Sequence, residues 1–306
     1  MAHTDYDLII LGSGPAGLQA AIHAARSKLS VMVLGRQFKS SLMKAHIENY
    51  CCLLPETTGE SLLAEGRKQA EKFGTYFLNE DVLDISGQAP DFSVRTESRE
   101  LKTRTLILSM GIARNRLGVP GEKEFLGKGV SYCVECDANF FRNEPVLVIG
   151  GESAATSGAL TLLFYTSEVH LVCESLNVSE TLIRQIRDSA IQLHEQSRVK
   201  SIFGDNQVEG VALEDGARIK VSGVFIELGA KGAIELATRL GVSLDPESLQ
   251  FIITNKKQET NIPGIYAAGD ICGPPWQMAK AVGEGCVAGL QAASFVKQFK
   301  KPAVKT

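Results

Sequence analysis

Short apolar runs alternate with amphipathic stretches along the chain, an order typical of strands connected by helices. Asp7 to Leu11 is predicted to be a buried strand, and the Ala-rich stretch Leu18 to Ser27 the helix that follows it. The same order returns later, where the strands Val146 to Ile149 and Val169 to Val172 enclose another predicted helix. The pattern therefore predicts an α/β chain that contains two related strand–helix–strand folds.

A glycine-rich turn joins the first strand to its helix, with the sequence Gly12-Ser13-Gly14-Pro15-Ala16-Gly17. Gly12 permits a tight turn, Gly14 lets the backbone approach a pyrophosphate, and Gly17 allows the helix to pack closely on the strand. The amino end of the helix supplies amide donors and a positive dipole. We therefore predict a dinucleotide site in a Rossmann-like fold. The next strand is followed by Gly35-Arg36 instead of the usual acid, which leaves the adenosine contact open.

The second fold carries a changed turn, Gly150-Gly151-Glu152. Glu152 puts a carboxylate and its bulk where a pyrophosphate should meet bare backbone. The next strand is followed by Cys173-Glu174-Ser175, which holds no Arg to pair with a 2′-phosphate. Both features disfavour NADPH, whereas Glu174 keeps NADH open as an alternative because its carboxylate could accept from ribose hydroxyls.

Two cysteines lie between the two folds, in the stretch Cys133-Val134-Glu135-Cys136-Asp137. Thiols at this spacing can close a small disulfide ring, and Asp137 can carry the proton that thiol exchange moves. Half of a zinc site has the same spacing, but a structural zinc site needs a second close pair of Cys or His ligands. None of the other cysteines forms a second pair with such spacing, so a redox centre is favoured over a metal.

Length and charge narrow the class of protein. A chain of 306 residues suggests about two domains. The net charge of −3, with acids and bases interspersed, gives no case for nucleic acid or an anionic membrane surface. The first apolar run, Leu8 to Leu11, has the length of a strand rather than of a signal or membrane segment. We expect a cytoplasmic protein, and in that reducing compartment the Cys-x-x-Cys is expected to cycle.

With these pieces assembled, the sequence resembles the low-molecular-weight flavoprotein thioredoxin reductases over nearly its whole length. The resemblance rests on the glycine-rich turn, on the redox stretch Gly129 to Asp137, and on Ile47-Glu48-Asn49-Tyr50, Val119-Pro120-Gly121-Glu122 and Ile262 to Asp270. It implies an α/β fold with two Rossmann-like three-layer domains of FAD- and NAD(P)-binding type, the second inserted into the first. The FAD domain is expected at 1–116 and 245–306, and the redox-disulfide domain, with its degenerate NADPH-type fold, at 117–244.

The resemblance also implies one FAD in the first fold and a homodimer, with a rotation of the insert that shows the disulfide alternately to flavin and to substrate. It places a set of residues at this FAD, with the glycine-rich turn near the pyrophosphate, Asn49 near the flavin, and Asp270 and the helix after it near the ribityl chain and ring. All the expected cofactor-binding residues, including Trp276, which is taken up below, are Gly12, Ser13, Gly14, Pro15, Ala16, Gly17, Asn49, Gly111, Gly269, Asp270, Trp276 and Gln277.

By the family mechanism Cys136 is the sulfur nearer the flavin, and Cys133 is released as the thiolate that attacks the disulfide of a partner protein. Asp137 would move the protons, although the same acid could instead cap a helix or lie in a solvated loop. The expected partner is a protein with a thioredoxin-like dithiol or disulfide, which is the default of the family.

Three departures from the NADPH-using members of the family lie at positions that these members use to bind the nicotinamide nucleotide. They are Glu152, the Arg-free segment Cys173-Glu174-Ser175, and Trp276, which stands before Gln277 in place of an Arg. Drift in a protein that binds NADPH loosely is one account of them. Branches that have lost the NADPH site either take electrons from ferredoxin or hold a second FAD. Trp276 favours the second FAD because its ring could stack on an isoalloxazine, with packing at an interface as the other account of this side chain.

The adjacent pair Cys51-Cys52 replaces a Pro-Gly of the family, and we expect two buried thiols without a role, as for Cys272 and Cys286. The favoured function is an FAD-dependent disulfide oxidoreductase that does not use NADPH. An NADH- or ferredoxin-dependent thioredoxin reductase is the enzymatic alternative. A redox-sensing flavoprotein without turnover is the alternative from another class.

Overall fold

A computed structural model of the chain describes residues 5–37, 40–53, 57–111, 116–132, 134–228 and 232–300, apart from the side chains of Lys44, Glu135 and Cys136. The chain folds into two compact units. Unit 1 consists of Met1–Ala113 and Gly232–Thr306, and unit 2 of Arg114–Lys231, which lies between the two segments of unit 1 in sequence.

The strands of the described residues are β1 (Tyr6–Leu11), β2 (Val31–Leu34), β3 (His46–Ile47), β4 (Thr57–Thr58), β5 (Thr75–Leu78), β6 (Val82–Gln88), β7 (Asp91–Thr96), β8 (Glu100–Leu108), β9 (Val130–Ser131), β10 (Val146–Ile149), β11 (Val169–Val172), β12 (Gln192–His194), β13 (Val199–Gly204), β14 (Val208–Leu213), β15 (Arg218–Lys220), β16 (Gly223–Ile226) and β17 (Ile265–Ala267). The helices are α1 (Pro15–Arg26), α2 (Gly59–Lys72), α3 (Val134–Asp137), α4 (Ser153–Leu162), α5 (Glu180–Arg187), α6 (Ala233–Arg239) and α7 (Met278–Lys297). Short 3₁₀ turns cover Ser41–Lys44, Ala138–Phe141 and Asp270–Cys272.

The sheet of unit 1 has the strand order β5-β2-β1-β8-β7-β6, and β17 pairs with the later half of β8. Strands β5, β2, β1, β8 and β17 run parallel, so their carboxyl ends meet at one edge. This edge is where open α/β sheets bind ligands. One face of the sheet is covered by the Ala-rich side of α1 and α7, and a separate apolar cluster covers the other face.

Helices α1 and α7 pack closely because glycines line their contact. A Cβ built on Gly285 would lie 2.1 Å from the carbonyl oxygen of Ala16, and one on Gly289 would lie 2.5 Å from that of Ala20. Any side chain at these two positions would force the helices apart. The contact therefore determines where the amino end of α7 lies relative to the glycine-rich turn.

Unit 2 contains a parallel five-stranded sheet in the order β12-β11-β10-β16-β9 and an antiparallel sheet β13-β14-β15. One apolar cluster packs between the two sheets, and another packs α4 and α5 against the parallel sheet. The predicted strands at 146–149 and 169–172 have these bounds in the structure, and the predicted α/β class is confirmed.

The second boundary between the units lies earlier in sequence than the expected 244/245. Helix α6 and the residues after it bury Leu236, Ala237 and Val242 in the same cluster as Ile9 and Leu11 of the first strand. Apolar burial against β1 thus assigns this segment to unit 1. Among the described residues, no helix combines the length and apolarity that crossing a bilayer requires.

Candidate functional site

The glycine-rich turn of unit 1 leaves its middle position open. A Cβ on Gly12, where φ is +111°, would lie 2.3 Å from the Ser109 carbonyl oxygen, and one on Gly17 would lie 1.9 Å from the Gly12 carbonyl oxygen. A Cβ on Gly14 would meet only Ser40 Oγ, at 3.5 Å. Gly14 is also the N-cap of α1, so the first amides of the helix face this open side without a capping side chain. A phosphate fits such a position.

Ser109 ties the turn to the neighbouring strand. Its Oγ donates to the carbonyl oxygen of Leu11 at 2.8 Å and lies 3.2 Å from that of Gly12. Two residues later Gly111 has φ of +72° and open space around a built Cβ. The carboxyl ends of β1 and β8 therefore form one floor beside α1.

Asp270 lies at the same edge of the sheet, in the 3₁₀ turn that follows β17. Lys280 of α7 donates from Nζ to the carbonyl oxygens of Gly269 at 2.9 Å and Gly273 at 2.8 Å, which are the two ends of this turn. Glu284 accepts from the Gly269 amide at 2.8 Å and pairs with Lys280 at 3.1 Å. One pair of helix neighbours thus holds both ends of the turn that carries Asp270.

Burial raises the pKa of the Asp270 carboxyl above its usual value, while Lys280 lowers this pKa and Glu284 raises it. Lys280 and Glu284 are themselves mostly buried, with 15% and 19% of their side chains exposed. A carboxylate held at the end of a strand beside a helix amino end can accept hydrogen bonds from ligand hydroxyls. This is the role that the resemblance implies for Asp270.

Asn49 and the amino end of α7 meet across the site. Asn49 donates from Nδ2 to Oε1 of Gln277, the N-cap of α7, at 3.4 Å. Trp276, the residue before Gln277, is 57% exposed, a large exposed fraction for an indole. Unit 1 therefore brings together the glycine-rich turn, Gly111, Asn49, Gly269, Asp270 and Gln277, and it leaves the face of Trp276 accessible.

Three features of unit 1 fit a dinucleotide such as FAD. They are the open position at Gly14, the uncapped amino end of α1, and the Asp270 turn that Lys280 holds at both ends. Phosphates would bind at α1 and hydroxyls at Asp270. Arg36, which follows β2, takes no part in this fit. Its guanidinium is 11% exposed, bonds Asp81, and lies 2.7 Å from Glu97 Oε1, so both carboxylates neutralise its charge.

In unit 2 the redox stretch lies between β9 and the 3₁₀ turn at Ala138–Phe141. Cys133 is outside the described residues, and of Cys136 only the backbone, within α3, is described. Asp137 accepts from Ser131 Oγ at 2.6 Å. Glu227, which follows β16, accepts from the amide of Val134 at 3.0 Å, and both residues are buried. Carboxylates thus accept hydrogen bonds at both the start and the end of α3.

A third carboxylate supports the approach to this helix. Tyr132 donates from its hydroxyl to Glu122 Oε1 at 2.7 Å, and burial together with this bond raises the pKa of Tyr132 to about 12. Burial alone would raise the pKa of Glu122, but bonds from Tyr132 and from the amides of Gly118 and Leu117 lower it below its usual value. Glu122 therefore accepts three hydrogen bonds while only 2% exposed.

The glycine-rich turn of unit 2 is as crowded at its first glycine as that of unit 1, and it differs at the third position, where Glu152 stands in place of the open Gly14. A Cβ on Gly150 would lie 2.3 Å from the Glu227 carbonyl oxygen, and one on Gly151 would lie 1.9 Å from that of Ser175. Glu152 is the N-cap of α4 and its Oε2 atom is buried. An acidic residue therefore occupies the N-cap position of α4, and helix amino ends of this kind bind phosphates.

Glu174 has a partner that sequence reasoning missed. Arg198, from the loop before β13, donates from Nη2 to Glu174 Oε2 at 2.5 Å. The absence of Arg after β11 therefore does not mean that this end of the sheet lacks a guanidinium, which corrects one of the two grounds against NADPH. A cavity of about 460 Å³ adjoins the pair, and Glu214 and Asp215 also line it. Its lining carries three carboxylates and one Arg.

Cys51 and Cys52 differ from their prediction, because both are exposed rather than buried. Their sulfur atoms lie 3.4 Å apart. Cys272 and Cys286 are half-buried. Among the described residues no group of three His, Cys, Asp or Glu side chains is arranged to hold a metal ion.

A model of the pyridine nucleotide-disulphide oxidoreductase family matches residues 6–285. The chain belongs to this family. It is 34% identical to the thioredoxin reductase of Mycolicibacterium smegmatis, over 97% of this chain and 98% of that protein. Its fold is similar to the atypical thioredoxin reductase TRi from Desulfovibrio vulgaris Hildenborough, with TM-score 0.81, 34% identity, and coverage of 95% of this chain and 98% of that one.

A second solved structure similar to this family member is a ferredoxin-flavin thioredoxin reductase from Clostridium acetobutylicum. It has TM-score 0.68 and 32% identity, with 97% of this chain and 99% of that chain covered. Together these comparisons make the chain a flavin-dependent disulfide oxidoreductase with Rossmann-like domains. This enzyme class does not support the alternative of a sensor without turnover.

Besides Arg198, sequence reasoning missed Ser131 and Glu227 in unit 2 and Lys280 and Glu284 in unit 1. Lys280 and Glu284 have the spacing of a helical ion pair, which was visible in the sequence. Their bonds to the Asp270 turn were not, because these depend on how α7 packs. Glu227 follows a predicted strand, but nothing in the sequence indicates that its partner is the amide of Val134.

Proposed function

We propose that this family member is an FAD-dependent thioredoxin reductase-like enzyme that exchanges electrons with a thioredoxin-like protein through Cys133 and Cys136, without NADPH as donor. Glu152 is the observation that carries the NADPH-independent part. Glu152 occupies the N-cap position of α4, at the helix amino end where a pyrophosphate would bind, so the bulk and the charge of its side chain would both oppose the nucleotide.

The FAD would be held in unit 1. Backbone of Gly12, Ser13, Gly14, Pro15, Ala16 and Gly17 would bind the pyrophosphate, and Asp270 would accept from the ribityl hydroxyls. Gly269 and Gly111 would line the floor, with Asn49 and Gln277 toward the ring. When bound, FAD takes up or gives two electrons together, as many as one disulfide exchanges. The open Gly14 and the clamped Asp270 turn support this assignment.

Thiol exchange would proceed at the Cys133–Cys136 pair. The Cys133 thiolate attacks a partner's disulfide, forming a mixed disulfide and releasing one partner thiolate. Cys136 then attacks Cys133, which closes the Cys133–Cys136 disulfide and releases the second partner thiolate. Asp137 supplies the proton that a released thiolate takes up. The bond from Ser131 to Asp137 supports this role because it orients the carboxylate next to α3.

The surroundings of Glu174 give electrostatic support to exclusion of NADPH. Arg198 is the cation of this cavity, and Glu174 already neutralises it. A 2′-phosphate would bring about two negative charges toward Glu174, Glu214 and Asp215. NADH lacks this phosphate, so Glu174 leaves NADH as the alternative pyridine donor.

Two non-pyridine arrangements remain as proposals. A second FAD is favoured by Trp276, whose 57% exposed ring at the amino end of α7 is available for stacking. Ferredoxin as donor is supported by the similarity to the ferredoxin-flavin thioredoxin reductase from Clostridium acetobutylicum. We further propose a homodimer in the cytoplasm, where reducing conditions favour cycling thiols.

The test begins with the purified protein, reconstituted with excess FAD and freed of unbound flavin, in which the ratio of released FAD to polypeptide is measured. The flavin absorbance is then followed without oxygen on addition of NADPH, NADH or reduced ferredoxin, with dithionite as the control for a reducible flavin. We expect bleaching by a donor other than NADPH, followed by new thiols in added thioredoxin. Rapid bleaching by NADPH would overturn NADPH independence, and a ratio near one would overturn the second FAD.

A further inference from the structure

The adjacent cysteines of unit 1 form an exposed sulfur pair outside the Cys133–Cys136 stretch. Sγ of Cys51 lies 3.4 Å from Sγ of Cys52, within the range of a thiol hydrogen bond, and both residues are exposed. The sulfurs therefore already point toward each other and are open to solutes. Neither sulfur needs a large movement to react with the other.

The backbone at this pair is held in an uncommon conformation. Cys52 has φ of +68°, in the left-handed region that favours glycine. The thioredoxin reductases that the sequence resembles carry Pro-Gly at these two positions, so a cysteine occupies a glycine-type position here. A residue that keeps such a conformation without being glycine is a candidate for a functional role.

The other described cysteines lack this combination of exposure and a sulfur neighbour. Burial, with the charge of Glu195, raises the pKa of Cys173 to about 11. Burial also raises the pKa of Cys272 to about 12. Both shifts disfavour the thiolate that reacts, whereas Cys51 and Cys52 lie open on a loop. The same loop carries Asn49, which bonds Gln277 at the amino end of α7.

We propose that Cys51 and Cys52 are a second redox centre, which cycles between a dithiol and a disulfide by exchange with low-molecular-weight disulfides. In the first step a Cys51 thiolate attacks the small disulfide, forming a mixed disulfide and releasing one small thiolate. In the second step the Cys52 thiolate attacks Cys51 and releases the other. The net reaction converts two protein thiols and one small disulfide into one protein disulfide and two small thiols.

The ring that closes is strained, which determines its redox behaviour. Consecutive Cα atoms across a trans peptide are about 3.8 Å apart, whereas disulfides usually join Cα atoms at least about 4.4 Å apart. Strained and exposed disulfides are the readily reduced kind. The Cys51–Cys52 couple therefore needs a more oxidising environment than the Cys133–Cys136 couple to be half oxidised.

One digest of the intact holoenzyme reports both couples separately. Trypsin cleavage after Lys44 and Arg67 yields peptide 45–67 with Cys51 and Cys52, and cleavage after Lys128 and Arg142 yields peptide 129–142 with Cys133 and Cys136. The protein is equilibrated in buffers of increasing ratio of oxidised to reduced glutathione, quenched with acid, alkylated and analysed by mass spectrometry. We expect peptide 45–67 to lose two hydrogens and to escape alkylation as it is oxidised. Its half-oxidation should need a ratio of oxidised to reduced glutathione about tenfold or more higher than that for peptide 129–142.

The variant Cys52→Ser should trap glutathione on Cys51, because the resolving thiol is missing. Cys286→Ser, a half-buried cysteine on α7, serves as the control and should leave the oxidation of peptide 45–67 unchanged. Two alkylated thiols in peptide 45–67 at every poise would overturn the proposal. So would a glutathione adduct on the wild-type pair that persists at equilibrium. Neither result depends on whether Cys133 and Cys136 reduce thioredoxin.

Discussion

Asn49 donates from its side-chain amide to Oε1 of Gln277, 3.4 Å away, although 228 positions separate the two residues in the chain. The bond connects the loop before Cys51 with the N-cap of α7. Both residues are members of the set that the family resemblance places at the flavin, and the fold of unit 1 brings them together.

Replacing Asn49 by Leu removes this bond and any amide contact with the flavin while keeping the size of the side chain. We expect the dissociation constant of FAD to rise about fivefold, since one hydrogen bond contributes about 1 kcal/mol. The fluorescence regained when FAD is released measures the change. Asn206→Leu, an exposed and bonded Asn of unit 2, is the matched control. Equal FAD affinity in both variants would contradict the placement of Asn49.

The Lys280–Glu284 pair is expected to maintain FAD affinity by holding the Asp270 turn. Lys280→Met leaves the carbonyl oxygens of Gly269 and Gly273 without their ammonium donor. FAD binding should weaken about tenfold, and the free energy of unfolding of unit 1 should fall by about 1–3 kcal/mol. Retained flavin after gel filtration and the urea midpoint measure the two effects. Lys297→Met, in the exposed last turn of α7, is the control. If Lys297→Met loses as much flavin as Lys280→Met, the bonds from Lys280 to the Asp270 turn are not the cause of the flavin loss.

Glu227 is expected to hold the start of α3 and to influence the pKa of Cys133, which precedes this helix in sequence. Glu227→Ala leaves the buried Val134 amide without its acceptor, so unit 2 should lose about 1–3 kcal/mol in the free energy of unfolding. Glu227→Gln keeps an acceptor oxygen and should lose less than half as much. Because Gln removes a negative charge, the pKa of the attacking thiol should fall, which the pH dependence of its alkylation rate measures.

The control for this pair of variants is Glu209→Ala, an exposed acid on β14 of the same unit. It should change neither the unfolding free energy nor the alkylation profile. An alkylation profile that is identical in wild type and in Glu227→Gln would limit Glu227 to a structural role.

Glu152 is expected to be the main obstacle to a pyridine nucleotide. Glu152→Gly removes bulk and charge and should strengthen NADPH binding by about tenfold or more, whereas Glu152→Gln removes the charge alone and should give a smaller gain. Binding is measured by the quenching of protein fluorescence by NADPH. Glu180→Gln, at the start of α5, is the control for loss of an acid near a helix amino end. If Glu152→Gly left the NADPH affinity unchanged, Glu152 would not be the main obstacle to NADPH binding.

The paired imidazoles of His170 and His194 are expected to make unit 2 less stable in acid. Their ring nitrogens lie 3.1 Å apart, and burial lowers the pKa of both rings; for His170 the neighbouring His194 lowers it further. Glu168 faces His170 and Asp215 faces His194, and each raises the pKa of its neighbour by less than burial lowers it. Because the unfolded chain binds protons more readily, the stabilisation is present above about pH 6.5 and is lost as the pH falls through the folded pKa values.

We therefore expect the urea midpoint of unit 2 to drop between about pH 7.5 and about pH 5.5, and His194→Gln to remove part of that drop. Circular dichroism at the two pH values measures it. His46→Gln is the control, since His46 is exposed in unit 1. A drop of the same size in wild type and His194→Gln would show that other groups cause the acid sensitivity.

The α/β class, the bounds of β10 and β11 and the glycine-rich turn were predictable from the sequence, because apolar periodicity and glycine placement act through local geometry. The domain boundary was not, since Leu236 and Val242 belong to unit 1 only through burial beside β1. The positions of Asp270 at the end of a strand and of Glu152 at the start of a helix were also predictable, because each depends on the local order of strand, turn and helix.

Only the tertiary structure decided which side chains meet. The partners Lys280 and Gly273, Glu227 and Val134, and Arg198 and Glu174 come from different elements. Such contacts depend on loop paths and on how closely helices pack, and neither leaves a periodic signal in the chain. The same reason applies to Cys51 and Cys52, whose apolar character suggests burial. Their exposure follows from the course of one loop.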